Sequence, residues 1–169
     1  MKNLFLPLLA LLTFSSYSQG FLRQDGQKIV DEKGNNVLLR GLGLGGWMVQ
    51  EGYMLKTSDF AGPQYKIKAK ITELIGEKNT AEFYDAYLKN GITKRDIDSL
   101  AAWGFNSVRL PMHYNLYTLP IEDEKVAGEN TWLDKGFKMT DDLLSWCEAN
   151  KIYLILDLHA APGGQGKDA

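Results

Sequence analysis

Three side chains that can bind or polarise a ligand occur near the ends of predicted strands. Arg109 lies in a short β-prone run, and Asp157 and His159 lie at the end of a continuous apolar run that begins at Ile152. In barrels and open sheets of parallel strands, ligands bind at the carboxyl ends of the strands. We therefore predict one site at this end of the sheet, and for Arg109 a role in this site and a purely structural ion pair are equal alternatives at this point.

Asp157 and His159 form an Asp-x-His pair, which by itself suggests part of a metal site. Residues two apart in a strand point to the same face, so both side chains would face one ligand. A third ligand is not evident in the sequence, and we interpret Asp157 as a structural, inward-facing acid. His113 falls in a predicted loop. Cys147, the single cysteine, lies on a predicted amphipathic helix and is expected to be a buried, inert thiol.

The elements that position these side chains alternate between strands and helices. Residues 21–40 are expected to form short strands and turns around Asp25-Gly26, followed by a buried strand near residues 38–43. Later strands are predicted at residues 105–111 and 152–158, with a loop over residues 112–130. Apolar periodicity predicts the intervening helices over residues 65–75, 80–89, 93–103 and 133–150.

Capping residues mark the expected helix ends. Asn79, with Glu82 three positions on, resembles a capping box, and Thr93 with Asp96 repeats the pattern. Gly104 stands where a helix would end in the left-handed conformation that glycine favours.

The resulting order of strands and helices predicts a parallel sheet, which fits either a barrel or a doubly wound fold. A glycine-rich loop matches G-x-G-x-x-G at Gly41, Gly43 and Gly46, which raises a nucleotide-binding oxidoreductase as an alternative. That alternative requires a helix that opens at Gly46. The irregular, aromatic stretch from Trp47 to Tyr53 argues against such a helix.

The N-terminus has the pattern of a secretory signal peptide. Lys2 is followed by an apolar run over Leu4–Phe14, and Ser16-Tyr17-Ser18 precede a predicted cut before Gln19. The apolar run is shorter than the roughly 20 residues that span a bilayer. We therefore exclude residues 1–19 from the fold as the signal-peptide region, and we expect a secreted or periplasmic protein that has no stable membrane anchor.

The remaining composition limits the other partners. The net charge is −2 and lysine and arginine form no cluster, so nucleic-acid binding has no electrostatic basis. With 169 residues and 44% apolar composition, the chain is long enough for one domain with a core. We assign residues 20–169 to that domain.

Three segments, in chain order, resemble glycoside hydrolase family 5, the cellulase and exo-β-glucanase family. Leu42–Glu51 is similar to the first strand and loop of that family, and Gly104–Pro111 is similar to its second strand. Asp157–Gln165 is similar to its third strand and the following loop, and the Ala-Pro-Gly-Gly-Gln sequence is closest to exo-β-1,3-glucanases.

The resemblance implies a (β/α)8 barrel, of which this chain supplies about the first three β/α units as an N-terminal part. It implies a retaining glycosidase that acts on a β-glucan or related polysaccharide, is monomeric as a full-length protein, and needs no cofactor or metal. In that family the acid/base glutamate follows strand four and the nucleophile follows strand seven, beyond this chain. The chain alone is therefore expected to be inactive. A carbohydrate-binding pseudo-enzyme with the same barrel is the alternative.

The resemblance also implies a role for each candidate site residue. Arg109 would hydrogen-bond the nucleophile carboxylate, and His159 would line the subsite of the sugar that reacts. Glu51 would contact the terminal, non-reducing glucose. Trp47 and Tyr114 are expected stacking platforms, although core packing is the competing interpretation for Trp47.

Overall fold

The computed structural model of the protein describes residues 20–163. The predicted signal peptide and the end of the third family-like segment therefore lie outside the described residues. The described chain opens with an antiparallel hairpin of β1 (Arg23–Asp25) and β2 (Lys28–Val30). Gly26 in the connecting turn has φ 60°, which glycine adopts without a Cβ clash, so the predicted Asp25-Gly26 turn is confirmed.

A parallel three-stranded sheet carries the rest of the architecture. It contains β3 (Gly41–Gly43), β4 (Ser107–His113) and β5 (Tyr153–Ala160) in the order β3-β4-β5. A Cβ at Gly41 would lie 2.5 Å from Ser107 Oγ, so glycine allows β3 to approach β4 closely. Asn106 fixes the start of this pairing, because its Oδ1 accepts from the Arg40 backbone N–H at 2.7 Å.

Helices connect the strands in the alternating order that the sequence predicts. They are α1 (Gly52–Leu55), α2 (Gln64–Gly91), α3 (Lys94–Ala102) and α4 (Asp134–Ala149). Gly76 interrupts α2 with φ 79° and ψ 163°, so α2 consists of two helical segments that meet at a kink. Two short 3₁₀ turns, at residues 114–116 and 121–123, lie between β4 and α4. Among residues 20–163, no helix combines the length and apolarity that a membrane span requires.

Two of the three predicted caps are confirmed. Thr93 and Asp96 form the reciprocal capping box at the start of α3, and Asp96 Oδ2 accepts from the Thr93 N–H at 2.8 Å. Gly104 has φ 84°, and the Gly104 and Phe105 N–H groups donate to Ala101 and Leu100, as in a Schellman motif.

The predicted cap at Asn79 is wrong. The Asn79 amide donates back to the Ile75 carbonyl at 2.8 Å, so this residue lies inside the second segment of α2. That segment begins directly after Gly76. The non-helical backbone at Gly76, rather than a side-chain cap, marks its start.

One face of the sheet packs on helices and forms the core. Val108 and Leu110 of β4 are fully buried with Ile97 of α3 and with Leu143 and Cys147 of α4. The predicted burial of Cys147 is thus confirmed. Within the described residues the strand order never reverses and this core lies on one face only. Both features fit an arc of a barrel better than a doubly wound sheet, which is covered on both faces.

The burial expected for the strand near residues 38–43 is wrong, and the apolar third strand of the sheet is also partly exposed. All three residues of β3 are exposed, and Leu156 and Leu158 of β5 are 57% and 56% exposed. Their apolar sequences are typical of strands covered on both faces. In the described chain both strands are edges of a three-stranded sheet, so each lacks a neighbour on one side.

The nucleotide-binding interpretation of the glycine-rich loop is also wrong. Gly41 and Gly43 lie within β3, and Gly46 lies in a turn with φ 76°. The first helix after the loop begins only at Gly52. A pyrophosphate site needs a helix N-terminus directly behind the glycines, and this loop has none there.

Candidate active site

Arg109 and Asp157 meet on the sheet face opposite the core. Arg109 lies on β4, and Asp157 lies on the neighbouring β5 opposite Pro111, two positions further along β4. The Arg109 Nη2 and Asp157 Oδ2 atoms are 2.5 Å apart. The side chains keep 44% and 28% of their accessible surface, so Arg109 retains N–H groups that face solvent. The pair is a charge-assisted contact at the edge of an open site.

His159 completes this cluster from the same strand as Asp157. Its Nδ1 atom lies 3.1 Å from Asp157 Oδ2 and 3.0 Å from Arg109 Nη2. One nitrogen cannot donate to the carboxylate and accept from the guanidinium at once. The charge-assisted bond to Asp157 is the stronger of the two, and Arg109 already has that carboxylate as a partner. This favours the tautomer with the proton on Nδ1, which leaves Nε2 as an acceptor.

Glu51 faces the other side of the His159 ring. Its Oε1 atom lies 3.9 Å from His159 Nε2, which is too long for a direct hydrogen bond. With the proton on Nδ1, both facing atoms are acceptors. A hydroxyl group placed beside them would donate its single hydrogen to one of the two acceptors. The structure thus brings Arg109, His159 and Glu51 together, and it adds Asp157 to them.

Buried polar contacts hold the loop that carries Glu51. Gln50, which is 3% exposed, donates its backbone N–H to Gln64 Oε1 at 2.7 Å. Its side-chain oxygen accepts from the Tyr84 hydroxyl at 2.8 Å. Burial, with a smaller contribution from Tyr87, raises the pKa of Tyr84 to about 12, so this hydroxyl stays a donor through the neutral range. These bonds tie the loop next to Glu51 to both segments of α2.

Trp47 lies in the core, which supports the packing interpretation over a stacking role. Its side chain is 4% exposed, and its Nε1–H donates to the Leu88 carbonyl at 2.7 Å. The nearby Tyr87 hydroxyl donates to the Gly46 carbonyl. Both contacts fasten the glycine-rich loop to the second segment of α2. Trp47 therefore positions the loop, and its ring face is not open to a ligand.

Tyr114 lies beside the cluster, at the mouth of a cleft of about 460 Å³. It follows His113 directly, and the two rings stack with centroids 5.2 Å apart and an interplanar angle of 27°. Ala160 at the end of β5, and Ala161 and Gly163 after it, line the same cleft. Tyr114 is therefore accessible at the predicted end of the sheet, whereas Trp47 is not.

The placement of His113 in a loop is wrong. Pro111 lacks an N–H group and was expected to stop the strand, but β4 continues to His113. The ladder shifts register between Pro111 and His113, and this irregularity accommodates the missing donor. Asp157 was predicted at the strand end as a structural, inward-facing acid, and its contact with Arg109 is what the sequence argument missed. The Asp-x-His spacing was the available signal, because it puts both side chains on one face.

The described part of the chain offers neither a group of metal ligands nor an accessible thiol. No group of three or more His, Cys, Asp or Glu side chains there is arranged to hold a metal ion. Cys147 is free and fully buried, and burial raises its pKa to about 11. Its thiolate is therefore scarce at neutral pH, as expected of a packing residue.

Sequence comparison agrees with this geometry. The family model described as cellulase, glycosyl hydrolase family 5, matches residues 64–168. A β-xylosidase from Phanerodontia chrysosporium is 36% identical over 148 residues, which cover 88% of this chain and 29% of that protein. A glucan 1,3-β-glucosidase from Candida oleophila is 29% identical, with 77% of this chain and 31% of that protein covered. The chain thus spans about a third of the length of these relatives.

Structural comparison supports the same fold. Rutinosidase from Aspergillus niger superposes with a TM-score of 0.54 at 21% identity, over 74% of this chain and 34% of that one. A second solved structure, AoRut, gives a TM-score of 0.55 at 23% identity, over 75% and 34%. The parallel β/α arrangement is therefore the first part of a (β/α)8 barrel. From the matched family model and the sequence relatives, the chain belongs to glycosyl hydrolase family 5.

Proposed function

We propose that this chain forms the first three β/α units of a glycosidase that hydrolyses a β-glucan or a related polysaccharide. The observation that carries the proposal is the cluster of Arg109, Asp157, His159 and Glu51 at the carboxyl end of the parallel strands. Relatives named for β-xylosidase, glucan 1,3-β-glucosidase and glucan endo-1,6-β-glucosidase activity support a β-linked substrate. They do not agree on one sugar or linkage, so the proposal names the class alone.

The reaction we propose is a double displacement with retained configuration. A nucleophile carboxylate attacks the anomeric carbon while an acid protonates the departing glycosidic oxygen, and water then hydrolyses the glycosyl-enzyme. The two carboxyl groups stand about 5–5.5 Å apart in such enzymes. In our proposal both are glutamates of a longer polypeptide, carried by strands four and seven, and this chain positions them and the sugar.

Each residue of the cluster has a defined part in this proposal. Arg109 uses its free N–H groups to hold the nucleophile carboxylate, while Asp157 fixes the guanidinium and the His159 ring. A sugar hydroxyl donates into the gap between His159 Nε2 and Glu51 Oε1. We further propose that the longer polypeptide is secreted after cleavage before Gln19 and acts as a monomer without a cofactor.

Variants at the cluster test this function in the longer polypeptide. Arg109→Lys keeps the charge but loses the planar fork, and we expect kcat/KM on β-glucans to fall about a hundredfold. Asp157→Asn should cost about tenfold, because it loosens Arg109 and His159 together. Arg23→Lys, on the distant β1, is the matched control and should leave kcat/KM unchanged.

The reaction products of the wild-type protein, and its binding of β-glucans, distinguish the candidate functions. We expect release of glucose or short glucans with retained anomeric configuration. NMR spectra recorded during the reaction measure that configuration. Binding of β-glucans without turnover would instead favour the carbohydrate-binding pseudo-enzyme. If the protein neither binds nor hydrolyses any β-linked oligosaccharide, the proposed function is overturned.

A further inference from the structure

The carboxylate of Glu51 takes its position from the backbone. In the described chain its side chain makes no hydrogen bond, and the 3.9 Å to its histidine neighbour is too long for one. The residues on either side of Glu51 are fastened instead. The Gln50 N–H donates to Gln64 Oε1 at 2.7 Å, and the Gly52 N–H donates to the Gly62 carbonyl at 2.9 Å. The placement of Glu51 therefore depends on the residues at and just before the start of α2.

Gln50 is the residue at which both segments of α2 meet the loop that carries Glu51. Gln64, the first residue of α2, binds its backbone, and the Tyr84 hydroxyl in the second segment donates to its side-chain oxygen at 2.8 Å. Gln64 and Tyr84 are 20 positions apart, which would be about 30 Å along a straight helix. Both can reach Gln50 only because α2 bends sharply at Gly76. Gln50 is 3% exposed, so its side chain binds α2 and is closed to a ligand.

The bend of α2 is fixed within the helix itself. Gly76 has φ 79° and ψ 163°, a backbone region that essentially only glycine occupies. A Cβ there would meet no atom within 4 Å, so the backbone angle, and not a lack of space, requires glycine. The Thr80 hydroxyl, on a residue that is 2% exposed, donates to the Gly76 carbonyl at 2.8 Å. The angle between the two segments is therefore set by residues outside the Arg109 cluster.

We propose that Gln50 is a positioning residue, through which the bend of α2 determines where Glu51 stands and thereby how tightly a sugar is held. The inference rests on the proposed function, in which a sugar hydroxyl meets Glu51, and deepens it by placing a determinant of affinity in a helix outside the site. Gln50 acts through its two bonds to α2 and does not touch the sugar. Coupling of this kind is reciprocal, so a sugar that fixes Glu51 also stabilises the two segments of α2.

The first test separates binding from chemistry in the longer polypeptide. Tyr84→Phe removes the bond to Gln50 and keeps the aromatic ring. We expect KM for β-glucan oligosaccharides to rise about fivefold, the weight of one hydrogen bond, with kcat changed less than about twofold. Thr80→Val loosens the bend and should raise KM in the same way. Thr72→Val is the matched control, because it also loses a hydroxyl bond to the carbonyl four residues back but lies inside the first segment, and it should leave KM unchanged.

A double-mutant cycle measures whether Gln50 acts through Glu51. In Glu51→Ala the carboxylate that Gln50 positions is gone, so the addition of Tyr84→Phe should raise KM no further. A purely structural bond would instead raise KM by the same factor with and without Glu51. Hydrogen exchange gives a readout besides activity. A thio-linked β-glucan oligosaccharide, which resists hydrolysis, should slow exchange in the peptides around Gly76 of the wild type and have no such effect in Tyr84→Phe.

Two results would overturn the positioning role and leave the proposed function standing. One is an unchanged KM in Tyr84→Phe, and the other is an equal rise in KM with and without Glu51. A wild type that neither binds nor cleaves any β-linked oligosaccharide would overturn the positioning role and the proposed function together. The circular dichroism spectrum and the melting temperature of each variant are the controls for folding.

Discussion

At the scale of single residues, chemistry depends on which neighbour each polar atom meets. Arg109 and His159 were predicted at the candidate site because strand ends in parallel sheets converge, and Glu51 was predicted there from the resemblance to the family alone. Asp157 was predicted as a structural acid, but its pairing with Arg109 was not, because the sequence does not show that its carboxylate lies 2.5 Å from the guanidinium on the next strand. The position of Trp47 was ambiguous for the opposite reason, since an indole suits a core and a ligand platform equally well.

Cys147 offers a prediction at this scale. With a pKa raised to about 11, about one thiol in a thousand is ionised at pH 8, and the side chain is fully buried. We expect no alkylation by iodoacetamide at pH 8 within the time that modifies free cysteine completely. Mass spectrometry of the peptide that contains Cys147 measures the modified fraction.

The same reaction in 6 M guanidinium chloride is the control for Cys147, because unfolding restores an ordinary thiol, and alkylation there should be complete. Rapid modification of the folded protein would contradict the burial of Cys147 in the core.

At the scale of elements, the capping chemistry of α3 carries a measurable share of local stability. Thr93→Ala removes the capping box and should lower the local unfolding free energy of α3 by about 1 kcal/mol. Hydrogen exchange of the α3 amides in the longer polypeptide should then accelerate about fivefold. The measurement is mass spectrometry of peptides that cover Lys94–Ala102.

Asn79→Ala is the matched control, because the Asn79 side chain donates back to the Ile75 carbonyl and does not cap a helix N-terminus. Its replacement should leave exchange in α2 unchanged or slower, since alanine is the better helix former. Faster exchange after Asn79→Ala than after Thr93→Ala would reverse our assignment of the two residues.

Elements were predictable where local chemistry decides them. The ends of α3 follow from Thr93, Asp96 and Gly104, whose side chains or backbone preferences act within one turn. The end of β4 did not follow, because Pro111 is tolerated through a register shift that depends on its partner strand. The start of the second α2 segment failed for a related reason, since Gly76 changes the backbone direction without a side-chain cap.

At the scale of the whole molecule, the sheet has an apolar side that the described chain leaves open. Leu156 and Leu158 of β5 are more than half exposed. A groove of about 640 Å³ runs from α4 to the chain near Phe21, and Leu156 lines it. An uncovered apolar edge strand pairs readily with other chains. We therefore predict that residues 20–169, expressed alone, aggregate.

Charged substitutions on β5 test this prediction. Leu156→Lys combined with Leu158→Lys should raise the soluble fraction of residues 20–169 about twofold or more, because charges on an edge strand oppose strand pairing. Leu74→Lys, on the exposed surface of α2, adds charge away from the sheet and is the matched control. Soluble fraction after centrifugation and light scattering provide the readout. A monodisperse wild-type segment that melts cooperatively would contradict the prediction.

The spacing of the strands along the chain governs when this protein can fold during synthesis. Arg40 bonds to Asn106 across 66 positions, and Arg109 meets His159 across 50. A nascent chain therefore completes α2 before β4 emerges, and α2 and α3 well before β5 leaves the ribosome, since non-local pairing is slow and helices form quickly. The site at the strand ends forms only after His159 has emerged, so a translational pause before that point would leave β3 and β4 waiting without β5.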